Sequence, residues 1–545
     1  MATAVHSEPT PSVAGTSSVD TRRALRWHLY LACGALVAHL LMTPSCFSPD
    51  VFVYAEYGKL MLQGKRLYSE IFLDKPILTP ILYALPQLVA PNVYWVFKLC
   101  LACVLWLQGY LIIKTMKPPL ATSLVVSCVV LFLPLLFWDW EWPSTEHLSN
   151  LFVVGVLLLC WRAATADRCG VLAALAIGAL LGAAVLVRQT TATTAIVPMA
   201  TLAAMRGNVP RRLAALALIG VAGATTLLVS VGAAYFLGNV DGYVRTMLMM
   251  PGMYSNETLP EMTASFAHYM GMAQECQLMP LLTGAAFLAC LPRQRFTLLA
   301  GLAAGVLTVA ASPRSYGHYA VGMFPGIAVA IAGGLRGDFT SPRWMGEPRP
   351  IPAALIGSLL LAMIAPFWSA RLVLEISTHW RASNLAAPAE FERWLDQTLP
   401  GPRTMWLVAP MNYEYILYAS DKTPAHALHT AWEMDRPDLA MGYGGDEAIL
   451  DDFLESPPDV IVLQGVAYNW IKTGVDRPLE EMDLSRRVLH SLMRRHRYEL
   501  LPGPFVATSG PNPEEFAVLV LEERRPPNEE DAGTEKSLEH EESAR

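Results

Sequence analysis

Long apolar runs separated by short charged segments dominate the first two thirds of this chain. A helical membrane span needs about 20 mostly apolar residues. Such runs recur at 27–47, 94–113, 119–138, 147–163, 170–187, 190–205, 213–236, 277–291, 296–312, 319–335 and 351–369. The run 77–90 is also apolar, but it has 14 residues with Pro80 and Pro86 inside it. That length suits an interfacial or re-entrant segment better than a span. It is assigned to a first external loop, 48–93, and eleven spans are predicted over 27–369. Residues 1–26 are rich in Ser, Thr and Pro and end in Arg22, Arg23 and Arg26. They read as a disordered cytoplasmic leader, and the run after them as a retained anchor, too long and lacking the small-residue cleavage site of a signal peptide.

From about 370 the pattern changes to that of a soluble domain. Residues 388–399, 446–456 and 484–496 have helical periodicity, with Leu484, Val488, Leu489 and Leu492 on one face of the last. Residues 404–409, 458–464 and 516–522 are short runs rich in β-formers, the signature of buried strands. A small α/β domain is therefore expected over 370–521. Residues 522–545 hold nine acids against four basic residues and are expected to be a disordered tail.

Composition strengthens the membrane reading. Of 545 residues, 53% are hydrophobic and 16% charged, whereas a soluble protein carries about 25% charged residues. The mean hydropathy is +0.35. A formal charge of −7 leaves no basic footprint for nucleic acid. Nine cysteines lie scattered, most of them inside apolar runs, which excludes a disulfide scaffold. With the N-terminus in the cytoplasm, the positive-inside rule is met at every inner segment: Lys114/Lys117, Arg162/Arg168, Arg206/Arg211/Arg212, Arg293/Arg295 and Arg336/Arg343/Arg349. An odd number of spans then places the α/β domain outside. The acids run the other way. Eleven of the fourteen between 27 and 369 fall on the outer side, a bias that insertion does not require and that a polar working surface would explain.

The first external loop carries the most chemistry. Asp50 follows the first span directly, where a carboxylate at the membrane boundary is placed to act as a general base. Tyr54, Gly58, Leu62 and Gly64 suggest a short interfacial helix turning at a glycine. Tyr68, Glu70 and Asp74-Lys75-Pro76 lead the chain back. This order resembles the first loop of the GT-C superfamily of membrane glycosyltransferases, in the branch of protein O-mannosyltransferases, the aminoarabinose transferase of lipid A and the rhizobial core-galacturonate transferases. Many of these have a second acid directly after the first; here that position is Val51. The resemblance continues through Glu146 at the outer start of the fourth span, Arg188-Gln189 after a glycine-rich span, and Arg314, Tyr316, His318 and Tyr319 in a late outer segment.

What the resemblance implies is a GT-C-like α-helical polytopic membrane protein with a small extracytoplasmic α/β domain. Its activity would be inverting transfer of a sugar from a polyprenyl-phosphate donor to an acceptor hydroxyl. Asp50 would be the base, and Arg188, Lys75 and Arg314 would bind the donor phosphate. Tyr54, Glu70, Glu146, Gln189, Tyr316 and His318 would contact sugar or acceptor. Some relatives use a divalent metal held by a loop carboxylate and a distant His, a pairing that Glu70 or Asp74 with His318 would imitate here. The setting would be a bacterial inner membrane, with the 237–276 loop covering the cavity.

Plainer readings stand beside these. Asp50 fits an N-cap and Glu146 the cap of the fourth span, Arg188 a snorkelling side chain, and His318 and Arg314 an interfacial belt. A non-catalytic protein that binds lipid-linked sugar or assembles envelope components is the main rival. A transporter fits less well, because the span interiors are almost free of charge.

Overall fold

The computed structural model describes residues 18–41, 49–71, 73, 75–90, 95–133, 144–206, 208–254, 278–290, 292, 294–311, 317–336, 339–340, 350–351, 386–408, 422–426, 444–464, 483–501, 506–507 and 514–523, with six further positions between 355 and 373. Contacts divide the chain into two compact units. One comprises Met1–Thr43, Trp95–Ser230 and Tyr254–Thr378; the other comprises Pro44–Tyr94, Val231–Met253 and His379–Arg545.

The first unit contains helices α1 (Ser18–Leu41), α4 (Trp95–Met116), α5 (Leu120–Leu131), α6 (Thr145–Ala166), α7 (Val171–Val187), α8 (Ile196–Ala204), most of α9 (Val209–Leu237), α11 (Leu278–Ala289), α12 (Arg295–Ala310) and α13 (Phe324–Gly334). Strands β1 (Phe339–Thr340) and β2 (Pro350–Ile351) form a short antiparallel pair. α4, α6 and α9 are each long and apolar enough to cross a bilayer. With the further apolar helices around them, they make this an integral membrane protein. α1 starts within the stretch expected to be a leader: Asp20 in its first turn complements the helix dipole, and the arginines that follow have high helix propensity. The last expected span, 351–369, lies mostly outside the described residues.

Helix packing in this unit hides apolar faces and satisfies the few polar groups among them. His28 on α1 is fully buried and hydrogen-bonds Ser127 Oγ and the Trp106 carbonyl, each at 2.9 Å. Gln108 on α4 donates to the His147 carbonyl on α6 at 3.1 Å. Cys100 and Cys103, in CxxC spacing, sit inside apolar α4, and no cluster of three metal-ligating side chains occurs among the described residues.

Two expected spans are not continuous α-helices. Residues 190–205 consist of a 3₁₀ segment, Gln189–Ala195, followed by the nine residues of α8. Residues 319–335 consist of a second 3₁₀ segment, Gly317–Met323, running into α13. A 3₁₀ turn rises about 2.0 Å per residue and an α-helix 1.5 Å, so each composite is roughly 28–30 Å long and still matches the hydrocarbon thickness. The first break has a visible cause in the sequence QTTATTA. Thr191 Oγ1 donates back to the Arg188 carbonyl at 2.6 Å, and Thr193 Oγ1 reaches α12 through Thr308 Oγ1 at 2.7 Å and the Ala304 carbonyl at 3.2 Å. Threonine hydroxyls compete here for the backbone and pull the segment out of regular α geometry.

The second unit holds α2 (Pro49–Leu62), α3 (Leu78–Val89), α10 (Val240–Tyr254), α14 (Ala386–Thr398), α15 (Asp446–Glu455) and α16 (Leu484–Arg495). Its strands are β3 (Thr404–Val408), β4 (Thr423–Pro424), β5 (Val460–Gln464), β6 (Arg497–Leu501), β7 (Val506–Ala507) and β8 (Glu514–Glu523). The sheet order is β4-β3-β5-β8-β6, with β7 beside β8. β3 is parallel to both β4 and β5, whereas β8 runs antiparallel to β5, β6 and β7. Met405, Leu407, Val460, Val462 and Val518 face Phe391 and Leu395 of α14 and Leu399 just after it. On the alternate positions Trp406 packs against Phe453 of α15, ring centroids 5.0 Å apart. Burial on both faces explains why β3 and β5 read as unbroken apolar runs.

Candidate functional site

In the first unit, Glu146 and Arg188 meet where both 3₁₀ segments occur. Arg188 closes α7 and adopts an extended backbone, φ −148° and ψ 116°, before the threonine-rich turn begins. Glu146 lies in the first turn of α6, whose N-cap is Ser144. Arg188 Nη1 meets Glu146 Oε1 at 2.6 Å, with the two residues 7% and 2% exposed. The Arg188 guanidinium also lies over the ring of Tyr319, 4.4 Å from its centroid. Tyr319 belongs to the second 3₁₀ segment, which Asn150 Nδ2 on α6 anchors by donating to the Val321 carbonyl at 2.8 Å.

Sequence reasoning marked Glu146 and Arg188 for different tasks, and the structure makes them one ion pair. It did not count Tyr319 or Asn150 among the site residues. Asn150 carried a readable signal, because it stands four residues after Glu146 and so shares its helix face. The stacking of Tyr319 on a side chain 131 positions away had none. His147 points elsewhere, its Nδ1 hydrogen-bonded to Ser144 Oγ at 2.8 Å. Gln189 is the first residue of the 3₁₀ segment and partly buried.

A buried arginine–carboxylate pair offers specific chemistry. A guanidinium carries five N–H donors in a rigid fork suited to carboxylate or phosphate oxygens. Stacking on an aromatic face adds attraction of about 0.5–2 kcal/mol and fixes the plane of the fork. Irregular backbone within a membrane protein persists only where protein or a water-filled cavity surrounds it, so the paired breaks mark this end of the bundle as specialised.

In the second unit, the first loop folds as a helix–turn–helix. α2 ends at a turn through Gly64, whose φ of +88° a side chain would resist. α2 then packs so closely on α3 that a Cβ on Gly58 would lie 2.7 Å from the Ala84 amide nitrogen. Tyr54 is buried and contacts Tyr83 at 5.5 Å between centroids, with the Lys75 ammonium 5.6 Å over its ring. Gln87 Nε2 donates to the carbonyls of Ala55 and Tyr83. Tyr68 holds a left-handed φ of 63°, a costly conformation for a bulky residue. Three contacts keep it there: its hydroxyl donates to the Lys75 carbonyl at 3.0 Å, its amide to the Ile71 carbonyl at 2.9 Å, and its ring lies 5.3 Å from that of Tyr243.

Asp50 is the second residue of α2, and its side chain lies outside the described residues, as do those of Pro49 and His318. Arg314, Tyr316 and Asp74 lie wholly outside them. Of the suggested metal ligands, only the carboxylate of Glu70 is therefore described. It closes a local turn, accepting the Arg66 amide at 2.8 Å and standing 3.5 Å from Lys65 Nζ. Of the 237–276 loop expected over the cavity, residues 240–254 form α10 and 255–276 lie outside the described residues.

The architecture is shared with solved structures of ArnT, a likeness of fold alone. Among solved structures it resembles ArnT from Cupriavidus metallidurans in the apo state, at a TM-score of 0.57 and 14% identity over 91% of this chain and 98% of that one. It resembles the same protein bound to undecaprenyl phosphate equally, at 0.57 and 14%, over 90% and 97%. The oligosaccharyltransferase of Archaeoglobus fulgidus in complex with Zn and sulfate aligns at 0.40 and 11% over 89% of this chain and 73% of that one, too distant to weigh. No family model matches the sequence, and no curated protein matches it either.

Proposed function

We propose that this protein is an inverting glycosyltransferase that moves a sugar from a polyprenyl-phosphate donor to an acceptor hydroxyl on the extracytoplasmic face of a bacterial inner membrane. The observation that carries this reading is the buried Glu146–Arg188 pair beneath Tyr319, placed where two spans break, in a chain with a GT-C fold. The undecaprenyl phosphate bound to the similarly folded ArnT supports a lipid of the same chemical class.

In this reading the donor phosphate competes with Glu146 for the Arg188 fork. Asp50 takes the proton of the acceptor hydroxyl, and the acceptor oxygen attacks C1 from the face opposite the phosphate. The C1–O bond breaks, its electron pair leaves with the polyprenyl monophosphate, and the anomeric configuration inverts. Base catalysis contributes about 10²–10⁴-fold, and preorganised charge at the leaving phosphate adds a further large share. Lys75 and Arg314 supplement the charge on the phosphate. Tyr54, Gln189, Tyr316 and His318 line the sugar or acceptor side, and Glu146 returns to Arg188 as the product leaves.

Mass spectrometry of polyprenyl-phosphate lipids tests this in cells carrying the wild type, a deletion or Asp50→Asn. One lipid-linked sugar is expected to accumulate in both the deletion and the variant. An unchanged lipid profile in both would point instead to a binding or assembly role. Accumulation in the deletion alone would keep the transferase and remove Asp50 as its base.

A further inference from the structure

At the other end of α6 lies a polar cavity, of about 310 Å³, that the proposed reaction does not use. Ala164 near the C-terminus of α6 lines it, eighteen residues after Glu146. At 1.5 Å per residue that places it about 27 Å along the helix from the ion pair, at the opposite membrane boundary. Thr201, Ala204 and Met205 bound it at the end of α8, and Arg295, Phe296 and Thr297 at the start of α12. Arg206 and Asp167 complete the polar wall.

The charges here are arranged unlike those at the outer end. Asp167 Oδ1 is occupied by the Arg206 backbone amide at 3.0 Å. Arg212, just outside, caps α8 by donating to the carbonyls of Leu202, Ala203 and Met205 at 3.0–3.4 Å. The Thr201 and Thr297 hydroxyls bond each other at 3.0 Å. Arg206 and Arg295 both line the cavity, and neither has an ion-pair partner among the described residues. Arg295 rests over the Phe296 ring, 5.1 Å from its centroid, which orients its fork. The Arg295 fork oriented by Phe296, the second guanidinium of Arg206, an Asp167 carboxylate engaged by the Arg206 amide, and an apolar rim of Ala164, Ala204, Met205 and Phe296 leave a net positive cavity that suits a phosphate anion attached to something apolar.

We infer that this cavity binds the phosphate headgroup of an anionic phospholipid from the leaflet at that face, which the positive-inside pattern makes the cytoplasmic one. Basic pockets between the ends of membrane helices on that side are suited to anionic headgroups, and two guanidinium forks select phosphate oxygens. The inference is independent of the proposed reaction, since no residue of the pocket belongs to the outer cluster.

Native mass spectrometry of the full chain, titrated with phosphatidylglycerol or with phosphatidylcholine, reads the site directly. The wild type is expected to retain one phosphatidylglycerol in preference to phosphatidylcholine. Arg206→Gln/Arg295→Gln is expected to weaken that retention on the order of 25-fold, about fivefold for each arginine. Arg206→Lys/Arg295→Lys keeps the charge and the insertion signal but loses the fork, and is expected to weaken it severalfold. Retention unchanged in both variants, or equal for the two lipids, would overturn the site and leave the arginines as topology signals. A thermal shift produced by inorganic phosphate alone, without lipid preference, would assign the cavity to a soluble phosphate and overturn the lipid reading.

Discussion

The two ends of α6 treat arginine in opposite ways. At the start, Arg188 is buried, paired to Glu146 and covered by Tyr319. Near the end, Arg206 and Arg295 are exposed and lack an acid partner among the described residues. An exposed arginine at a membrane surface costs little, and topology alone is reason enough for it. A buried arginine loses hydration worth several kcal/mol, which its carboxylate partner only partly offsets. The difference separates charge that insertion alone accounts for from charge kept at an energetic cost, which insertion does not account for.

The strongest way to break this contrast is to remove one half of the buried pair. Arg188→Ala leaves the Glu146 carboxylate buried without its cation, and a loss of about 3–5 kcal/mol of stability is expected. Replacing both with apolar residues of similar length, Glu146→Met/Arg188→Met, is expected to recover most of that stability while leaving transfer abolished. Unfolding in detergent measures the first quantity and turnover of lipid-linked sugar the second. A double variant that regained activity would make the pair structural only.

A smaller effect is expected from the ring. Tyr319→Leu removes the face on which Arg188 is stacked but leaves the ion pair, at an expected cost of about 0.5–2 kcal/mol. Under the proposed function this appears chiefly as weaker donor binding, a severalfold rise in KM with a smaller change in kcat. A change confined to kcat would move Tyr319 from orienting the arginine to acting in the chemical step.

Local features of this molecule were more legible in the sequence than its pairings. The glycine turn at Gly64, the short helix before it and the runs that became β3, β5 and β8 follow from local pattern, because periodicity and φ preference are properties of neighbouring residues. Glu146 and Arg188 were visible as isolated charges at the ends of apolar runs. Their pairing across 42 positions was not, since packing of α6 against α7 decides it. The break at 189–195 left a trace in its threonines, whose hydroxyls compete for the backbone, but the Thr193 bonds to Ala304 and Thr308 that hold it come from packing against α12. The side chain of Asp50, on which the reaction is proposed to turn, lies outside the described residues.

The smallest effect sharpens the comparison from the other side. Arg206→Gln, measured by unfolding in detergent free of anionic lipid, is expected to change stability by no more than about 0.5 kcal/mol, as for an exposed site. Arg206 has no ion pair to break among the described residues, and the Asp167 bond to its backbone amide survives the substitution. Added phosphatidylglycerol should then stabilise the wild type more than the variant, because a ligand that binds only the folded state raises stability with its concentration. A loss in lipid-free detergent as large as that of Arg188→Ala would mean that the inner arginine is also structurally committed, and the two ends of α6 would no longer differ in kind.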